Sequence, residues 1–158
     1  MKLAIDACSL IILRNGGVLD KVFALPDHEF FVGSFVKEEC GPFLDVYLQQ
    51  GLLKQLPDDR LSLSNFTTLL SRYDLGYGET ECIAFGISEA ISLCSDDAKA
   101  RKAAQIELGP SRIVGSLYLL RECVRSGLLT EAEAVLAYEQ MRARGAFLPD
   151  LPAGYLGG

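Results

Sequence analysis

The sequence of 158 residues contains no tryptophan, a single histidine and no pair of cysteines at C-x-x-C spacing. With His28 as the only imidazole, a histidine-based zinc site or a Ser–His catalytic pair has little material. The five cysteines are odd in number and widely spaced, and most stand in apolar runs, so we expect reduced, buried thiols. These absences count against a disulfide-stapled or zinc-binding protein.

Long hydrophobic runs and an excess of positive charge are also missing. No uncharged apolar run approaches the roughly 18 residues that a membrane span requires. Asp6 stands near the start of the N-terminal apolar stretch, where a secretory signal carries no acid, so we expect a cytoplasmic protein. Lys and Arg number 15 against 21 Asp and Glu, a net charge of −6. Binding to a nucleic acid would therefore require a local basic patch or bound cations.

Apolar residues make up 49% of the chain, which is enough to bury a core of one compact domain. Short apolar runs alternate with amphipathic segments, and this alternation predicts a three-layer α/β fold with a mostly parallel sheet. We expect one domain over residues 1–148 and an irregular tail over residues 149–158. Strands are predicted at residues 2–5, 30–33, 91–95 and 113–115, with residues 53–56 as a strand or extended chain.

Capping residues predict where several helices begin. Ser34 and Ser116 each follow a predicted strand, and we expect each to cap the next helix. Thr130 and Glu133 form the T-x-x-E pattern of a capping box, which opens a helix that ends at Gly145. No G-x-G-x-x-G motif or P-loop follows a strand, which counts against a nucleotide-binding α/β protein.

Acidic residues follow two of the predicted strands: Asp6 after the first strand, and Asp96 and Asp97 after the run ISLCS. Ligands of open α/β sheets bind beyond the carboxyl ends of the strands. Two more pairs of acids lie on predicted helices, Glu38 with Glu39 and Glu79 with Glu81. Structural explanations exist for these pairs, because acids in a first turn complement the helix dipole and others are simply solvated.

If the acids converge, they form a site with oxygen ligands only. Such a site suits a hard cation, Mg²⁺ or Mn²⁺, rather than zinc. Mg²⁺ keeps several waters and accepts one or two carboxylates directly, so the other acids would orient water or hold a second ion. Bound cations would also let an acidic protein receive a phosphate backbone.

Four motifs resemble those of the PIN domain, in the order found in that family: D-A-C-S-L-I, V-K-E-E-C, G-Y-G-E-T-E-C-I-A-F-G and S-D-D-A-K-A-R-K-A-A. The chain looks closest to the prokaryotic branch that includes VapC-type toxins, and the resemblance covers residues 2 to about 148. It implies about five parallel strands in the order 3-2-1-4-5, flanked by helices. It also implies a Mg²⁺- or Mn²⁺-dependent nuclease that acts on single-stranded or structured RNA.

The resemblance also implies which acids carry the chemistry. By position in the motifs, the catalytic and metal-binding residues are Asp6, Glu39, Glu81 and Asp97. The alternatives for the last three are Glu38, Glu79 and Asp96. Ser9 matches a hydroxyl that often supports the first acid. Ser116 stands where many members carry a further acid or Thr, which implies fewer direct metal ligands.

An RNA substrate is implied, and for a toxin an antitoxin partner is expected as well. A homodimer is a further expectation. Residues 36–50 and 64–72 form either a docking groove, a homodimer face or a part of the core. Lys99 and Lys102 lie three residues apart on a predicted helix, where they either contact phosphates or form a solvated face. Phe35 and Tyr77 either stack on bases or pack at the rim of the core. The alternative function is a catalytically inactive PIN-like module that binds nucleic acid or a partner.

Overall fold

A computed structural model describes residues 1–157 and contains one five-stranded sheet. The strands are β1 (Lys2–Ile5), β2 (Glu29–Val32), β3 (Leu53–Gln55), β4 (Ser92–Cys94) and β5 (Ile113–Val114). All neighbouring pairs are parallel, and the order is β3-β2-β1-β4-β5. The predicted parallel sheet and its order 3-2-1-4-5 are therefore confirmed.

Helices connect and flank the strands. They are α1 (Ala7–Asn15), α2 (Leu19–Phe23), α3 (Ser34–Cys40), α4 (Asp45–Gln49), α5 (Leu63–Arg72), α6 (Tyr77–Glu89), α7 (Ala98–Leu108), α8 (Ser116–Arg125) and α9 (Glu131–Ala143). Short 3₁₀ turns occur at Pro42–Leu44, Asp58–Arg60 and Pro110–Arg112. Within residues 1–157, no helix combines the length and the apolar character that crossing a membrane would require.

The strands of this sheet contain continuous apolar runs rather than alternating apolar and polar residues. Leu3 and Ile5 are fully buried, as are Phe30 on β2 and Leu93 on β4, because helices cover both faces of a parallel sheet. Ile5 pairs with Cys94 at the carboxyl ends of β1 and β4. This register places Asp6 beside the segment that follows β4.

Two of the predicted helix caps are wrong. Gly33 occupies the N-cap position of α3, and Gly115 occupies that of α8. Neither Ser34 nor Ser116 makes a capping hydrogen bond with its own side chain. The Ser34 hydroxyl instead donates to Asp58, and that of Ser116 donates to Asp96. The capping box of Thr130 and Glu133 at the start of α9 is confirmed.

The segment after α9 packs against the helices that precede it. The Tyr138 hydroxyl donates to the carbonyl of Pro149 at 2.8 Å, and the Arg121 guanidinium lies 4.8 Å from the centre of the Tyr155 ring. Leu156 is buried in the core. These contacts attach the C-terminal segment to α8 and α9.

The cysteines are free thiols, as expected. Cys82, Cys94 and Cys123 are buried and Cys40 is partly buried. Cys8 is the exception, because it is exposed at the start of α1.

Candidate metal centre

Asp6 occupies the junction of β1 and α1 and is 1% exposed. Its Oδ1 accepts a hydrogen bond from the backbone N–H of Ser9 at 2.9 Å, while its buried Oδ2 has no hydrogen-bond partner. Burial raises the pKa of Asp6 to about 7, polar groups of Ser95 and Ser9 oppose this, and the charge of Asp96 raises it further. Within residues 1–157, no polar group lies at hydrogen-bond distance from this Oδ2, although the side chain of Ser95 acts on the same carboxyl group.

Asp96 and Asp97 follow β4, and each accepts a hydrogen bond from the backbone at the start of a different helix. Asp97 caps α7, because its Oδ2 accepts from the N–H of Ala100 at 2.8 Å. Asp96 accepts from the N–H of Ser116 at 2.9 Å, from the Ser116 hydroxyl, and from the Ser9 hydroxyl at 2.7 Å. Asp96 thus joins the first turns of α1 and α8.

Gly115 leaves room for the Asp96 carboxylate at the start of α8. A Cβ on Gly115 would lie 2.7 Å from Oδ1 of Asp96, too close for any real contact. Gly115 is therefore required by the carboxylate that lies against it.

Glu81 is buried on α6 and has both carboxylate oxygens engaged. They accept hydrogen bonds from the backbone N–H groups of Phe35 at 3.1 Å and Val36 at 3.2 Å, at the start of α3. Burial raises the pKa of Glu81, these two bonds lower it, and the charges of Asp58 and Glu39 raise it further. Glu81 is thus the side chain that caps α3 from a distant helix.

Glu39 on α3 and Glu79 on α6 both accept hydrogen bonds from backbone N–H groups at the start of α6. Glu39 accepts from the N–H of Gly78 at 3.2 Å, and Glu79 accepts from the N–H of Gly76 at 3.1 Å. Burial raises the pKa of Glu79, the bond from Gly76 lowers it, and the charges of Asp97 and Glu39 raise it further. Glu38 and Glu39 are both exposed, and Glu38 takes no part in these hydrogen bonds.

Apart from Glu38, the acids described so far share one feature: each accepts a hydrogen bond from backbone N–H at the start of a helix. None takes part in a salt bridge within residues 1–157. The positive ends of the helix dipoles stabilise carboxylates in such positions. The protein can therefore hold several acids at one edge of its sheet without basic partners.

The thiol of Cys8, in the first turn of α1, lies within reach of the charges of four carboxylates. Partial desolvation of this thiol raises its pKa to about 12, and the charges of Asp6, Asp96, Asp97 and Glu79 raise it further, in that order. We call these four carboxylates the acidic group. The charge of Glu39 acts on Glu79, which is a member of the group. Glu81 is instead hydrogen-bonded to the backbone of α3 through both carboxylate oxygens.

The donors of the acidic group fit a hard divalent cation in their chemistry. All are carboxylate oxygens, and the buried Oδ2 of Asp6 has no hydrogen-bond partner within residues 1–157. They do not form a preassembled cage, because within residues 1–157 no three acidic, histidine or cysteine side chains are grouped closely enough to hold an ion. An ion held by one or two carboxylates and several waters is the kind of coordination that Mg²⁺ prefers.

The predicted nucleic-acid contacts occupy two separate places, a groove with two lysines and a cluster of aromatic rings. Lys99 is exposed and pairs with Asp74 at 3.4 Å, and Lys102 lies beside it along a groove of about 290 Å³. Phe35 packs against Tyr77, with ring centres 5.3 Å apart, and also against Phe66 at 5.6 Å. The two predicted stacking residues thus pack mainly on neighbouring rings.

Sequence analysis assigned no role to Ser95 or Cys8 at this edge of the sheet. Ser95 is fully buried, and its hydroxyl accepts from the N–H of Asp97 at 3.2 Å. Its position directly after β4 is the sequence signal that could have indicated this contact, because residues at the carboxyl ends of neighbouring parallel strands meet.

Comparison with known families agrees with this architecture. The chain matches a family model described as DUF3368, PIN domain, over residues 2–151. It therefore belongs to the PIN domain family, whose members are generally nucleases that bind a divalent metal. Curated proteins and solved structures contain no match to the chain.

Proposed function

We propose that this protein is a Mg²⁺- or Mn²⁺-dependent endoribonuclease that hydrolyses RNA phosphodiester bonds at the acidic group. The observation that carries the proposal is the buried, unpaired Oδ2 of Asp6 among carboxylates that lack basic partners. Leaving a buried carboxylate oxygen unsatisfied is costly, so its retention is better explained by a ligand than by folding. The resemblance to the prokaryotic VapC-like branch favours RNA as the substrate, and we expect cleavage in the cytoplasm.

Each acid has a role that follows from its contacts. Asp6 and Asp97 would hold the ion, because they follow the neighbouring strands β1 and β4. Each carboxylate is held in place by a hydrogen bond from a backbone N–H in the first turn of the helix it caps. Ser9 and Ser116 orient Asp96, which lies between them. When bound, the ion lowers the pKa of a coordinated water and stabilises negative charge on the phosphate.

Glu79 and Glu81 differ in what their carboxylates touch. Glu79 is the member of the acidic group on α6, and the charge of Asp97 acts on it. Both oxygens of Glu81 are bonded to the backbone of α3. We therefore assign Glu79 and Glu39 to orienting the attacking water, and Glu81 to positioning α3 and hence Glu39.

An apolar surface supports the proposal of a protein partner. Tyr77 and Leu63 are large and exposed, and Tyr77 continues the ring cluster of Phe35 and Phe66. Surfaces of this kind are typical of protein interfaces. We propose that this face, near residues 36–50 and 64–72, binds an antitoxin or a second copy of the chain.

Cleavage of a labelled mixed RNA pool tests the catalytic proposal. The pool is incubated with Mg²⁺, Mn²⁺ or EDTA, using the wild-type protein, Asp97→Asn and the control Asp59→Asn, whose side chain is exposed in a 3₁₀ turn. We expect cleavage with metal by the wild type and the control only. A DNA pool in parallel tests whether RNA is preferred.

The open arrangement of the donors favours one alternative, a catalytically inactive module that binds RNA or a partner. Absence of cleavage with every metal, together with intact RNA binding, would overturn the nuclease and support this module. Cleavage that persists in EDTA would overturn the metal dependence.

A further inference from the structure

A cavity of about 480 Å³ lies beside the acidic group, between the end of β5, the first turns of α8 and the C-terminal segment. Asp96 belongs to both features, because it lines the cavity and is a member of the acidic group. Ligand sites in proteins typically have volumes of about 300 to 1,000 Å³. The cavity therefore has room for one nucleotide-sized ligand next to the proposed reaction centre.

Arg101 provides a fixed positive charge in the cavity wall. Its Nη1 donates to the carbonyl of Ser95 at 2.8 Å and to that of Val114 at 3.0 Å, so the ends of β4 and β5 hold the guanidinium in place. Arg101 forms no salt bridge within residues 1–157, although Asp96 and Asp150 line the same cavity. Its remaining N–H groups suit an anionic oxygen such as that of a phosphate.

Aromatic rings form the opposite side of the cavity. Tyr118 and Tyr155 line it, and the guanidinium of Arg121 lies 5.8 Å and 4.8 Å from their ring centres. Phe147 stands at the rim with 98% of its surface exposed. A fully exposed phenylalanine contributes nothing to the core, and its flat face is free for a ligand.

The combination favours a nucleotide over a protein segment. A base stacks on aromatic rings whatever its identity, and an arginine near the rings binds the adjacent phosphate. Bound cations would offset the repulsion between the neighbouring acids and the phosphates of this ligand. One nucleotide would thus contact the aromatic rings, Arg101 and the acidic group together.

We propose that this cavity binds one unpaired nucleotide of the RNA next to the bond that is cleaved, with its base on Phe147 and Tyr155 and its phosphate at Arg101. The proposal rests on the proposed nuclease function and adds to it a specific site for single-stranded substrate. It predicts that an unpaired nucleotide at this position is required for tight binding.

Equilibrium binding of a fluorescent single-stranded RNA, with a phosphorothioate backbone that resists hydrolysis and with Mg²⁺ present, tests the proposal without cleavage. An RNA of about ten nucleotides spans the group and the cavity. Removal of a stacking ring weakens binding by about 5- to 150-fold, so we expect this loss for Phe147→Ala and Phe147→Leu. Phe147→Trp keeps an aromatic face and should retain the affinity. Leu136→Ala on α9 is the matched control, because Leu136 is exposed and apolar but outside the cavity.

Photo-crosslinking locates the nucleotide directly. RNA carrying 4-thiouridine at successive positions is irradiated with the protein, and crosslinked peptides are identified by mass spectrometry. We expect crosslinks in the segment that contains Phe147 and Tyr155. Crosslinks confined to the groove of Lys99 and Lys102 would overturn the proposal.

The outcomes separate this inference from the nuclease itself. Unchanged RNA affinity in Phe147→Ala, with normal metal-dependent cleavage, overturns the cavity and leaves the nuclease. Wild-type protein that neither binds nor cleaves RNA overturns both. Loss of a dimer in Phe147→Ala with unchanged RNA affinity would assign the ring to contact between copies and overturn the nucleotide site.

Discussion

The carboxylate of Glu81 lies directly over the Cα of Gly33, where its two oxygens accept hydrogen bonds from the first N–H groups of α3. A methyl group on Gly33 would overlap this carboxylate. Residues 48 positions apart in sequence thus form one helix cap, and the cap places α3, which carries Glu39, against α6.

Substitution of either partner should destabilise the fold. We expect Glu81→Ala to lower the free energy of unfolding by about 2 to 4 kcal/mol, because it leaves buried N–H groups unpaired and a cavity behind. Gly33→Ala should cost about 1 to 3 kcal/mol through overpacking. Urea denaturation measures both values. The exposed neighbour Glu38→Gln is the control and should change the free energy by less than about 0.5 kcal/mol. Unaltered stability of both variants would disprove the cap.

Asp6 should make stability depend on pH. Its pKa is raised to about 7 in the folded protein from an ordinary value of 3.8, so the folded state binds the extra proton between these values. Its contribution to stability is therefore greatest below about pH 4 and is lost as pH rises towards about 7. The full loss is on the order of 4 kcal/mol.

The variant Asp6→Asn keeps an oxygen that can accept from Ser9 and removes the charge. We expect it to be more stable than the wild type at about pH 8, with the difference vanishing towards about pH 4. Thermal unfolding across this range is the measurement. Parallel curves for the two proteins would contradict the raised pKa.

Divalent cations should stabilise the folded protein through the same side chain. Ligand carboxylates bind metal in their charged form, so Mn²⁺ should raise the Tm more above pH 7 than below it. A hundredfold excess over Kd adds about 2.7 kcal/mol. We expect no such shift in Asp6→Asn or Asp97→Asn, and a normal one in Asp59→Asn. Equal Tm shifts in all of these variants would place the cation elsewhere.

The two glutamates on α6 should differ in activity. Glu79→Gln is expected to reduce RNA cleavage by about 10- to 100-fold. The Tm should change little, because Gln keeps an oxygen that can accept the hydrogen bond from the N–H of Gly76. Glu81→Gln should chiefly lower the Tm and leave more activity at low temperature. Cleavage rates and melting curves of both variants decide the assignment. A larger loss of cleavage in Glu81→Gln would return the catalytic role to Glu81.

Several elements could be predicted because their signals are local. The strand from Lys2 to Ile5 and the capping box of Thr130 and Glu133 depend on residues that are close in sequence. The prediction for β3 remained open between strand and extended chain, because it is a three-residue edge strand with one buried side chain. Ser34 and Ser116 were assigned as caps from the same local rule, and this failed because distant carboxylates occupy those helix starts.

The sequence by itself determined the alternation of strands and helices and the presence of acids at the ends of β1 and β4, since both follow from periodicity and position along the chain. Only the tertiary structure decided what each acid touches: Asp6 keeps an unpaired oxygen, Asp96 joins α1 to α8, and Glu81 caps α3. The reason is that a carboxylate bonds to whichever backbone N–H groups the packing of distant helices brings to it, and no local pattern records that choice.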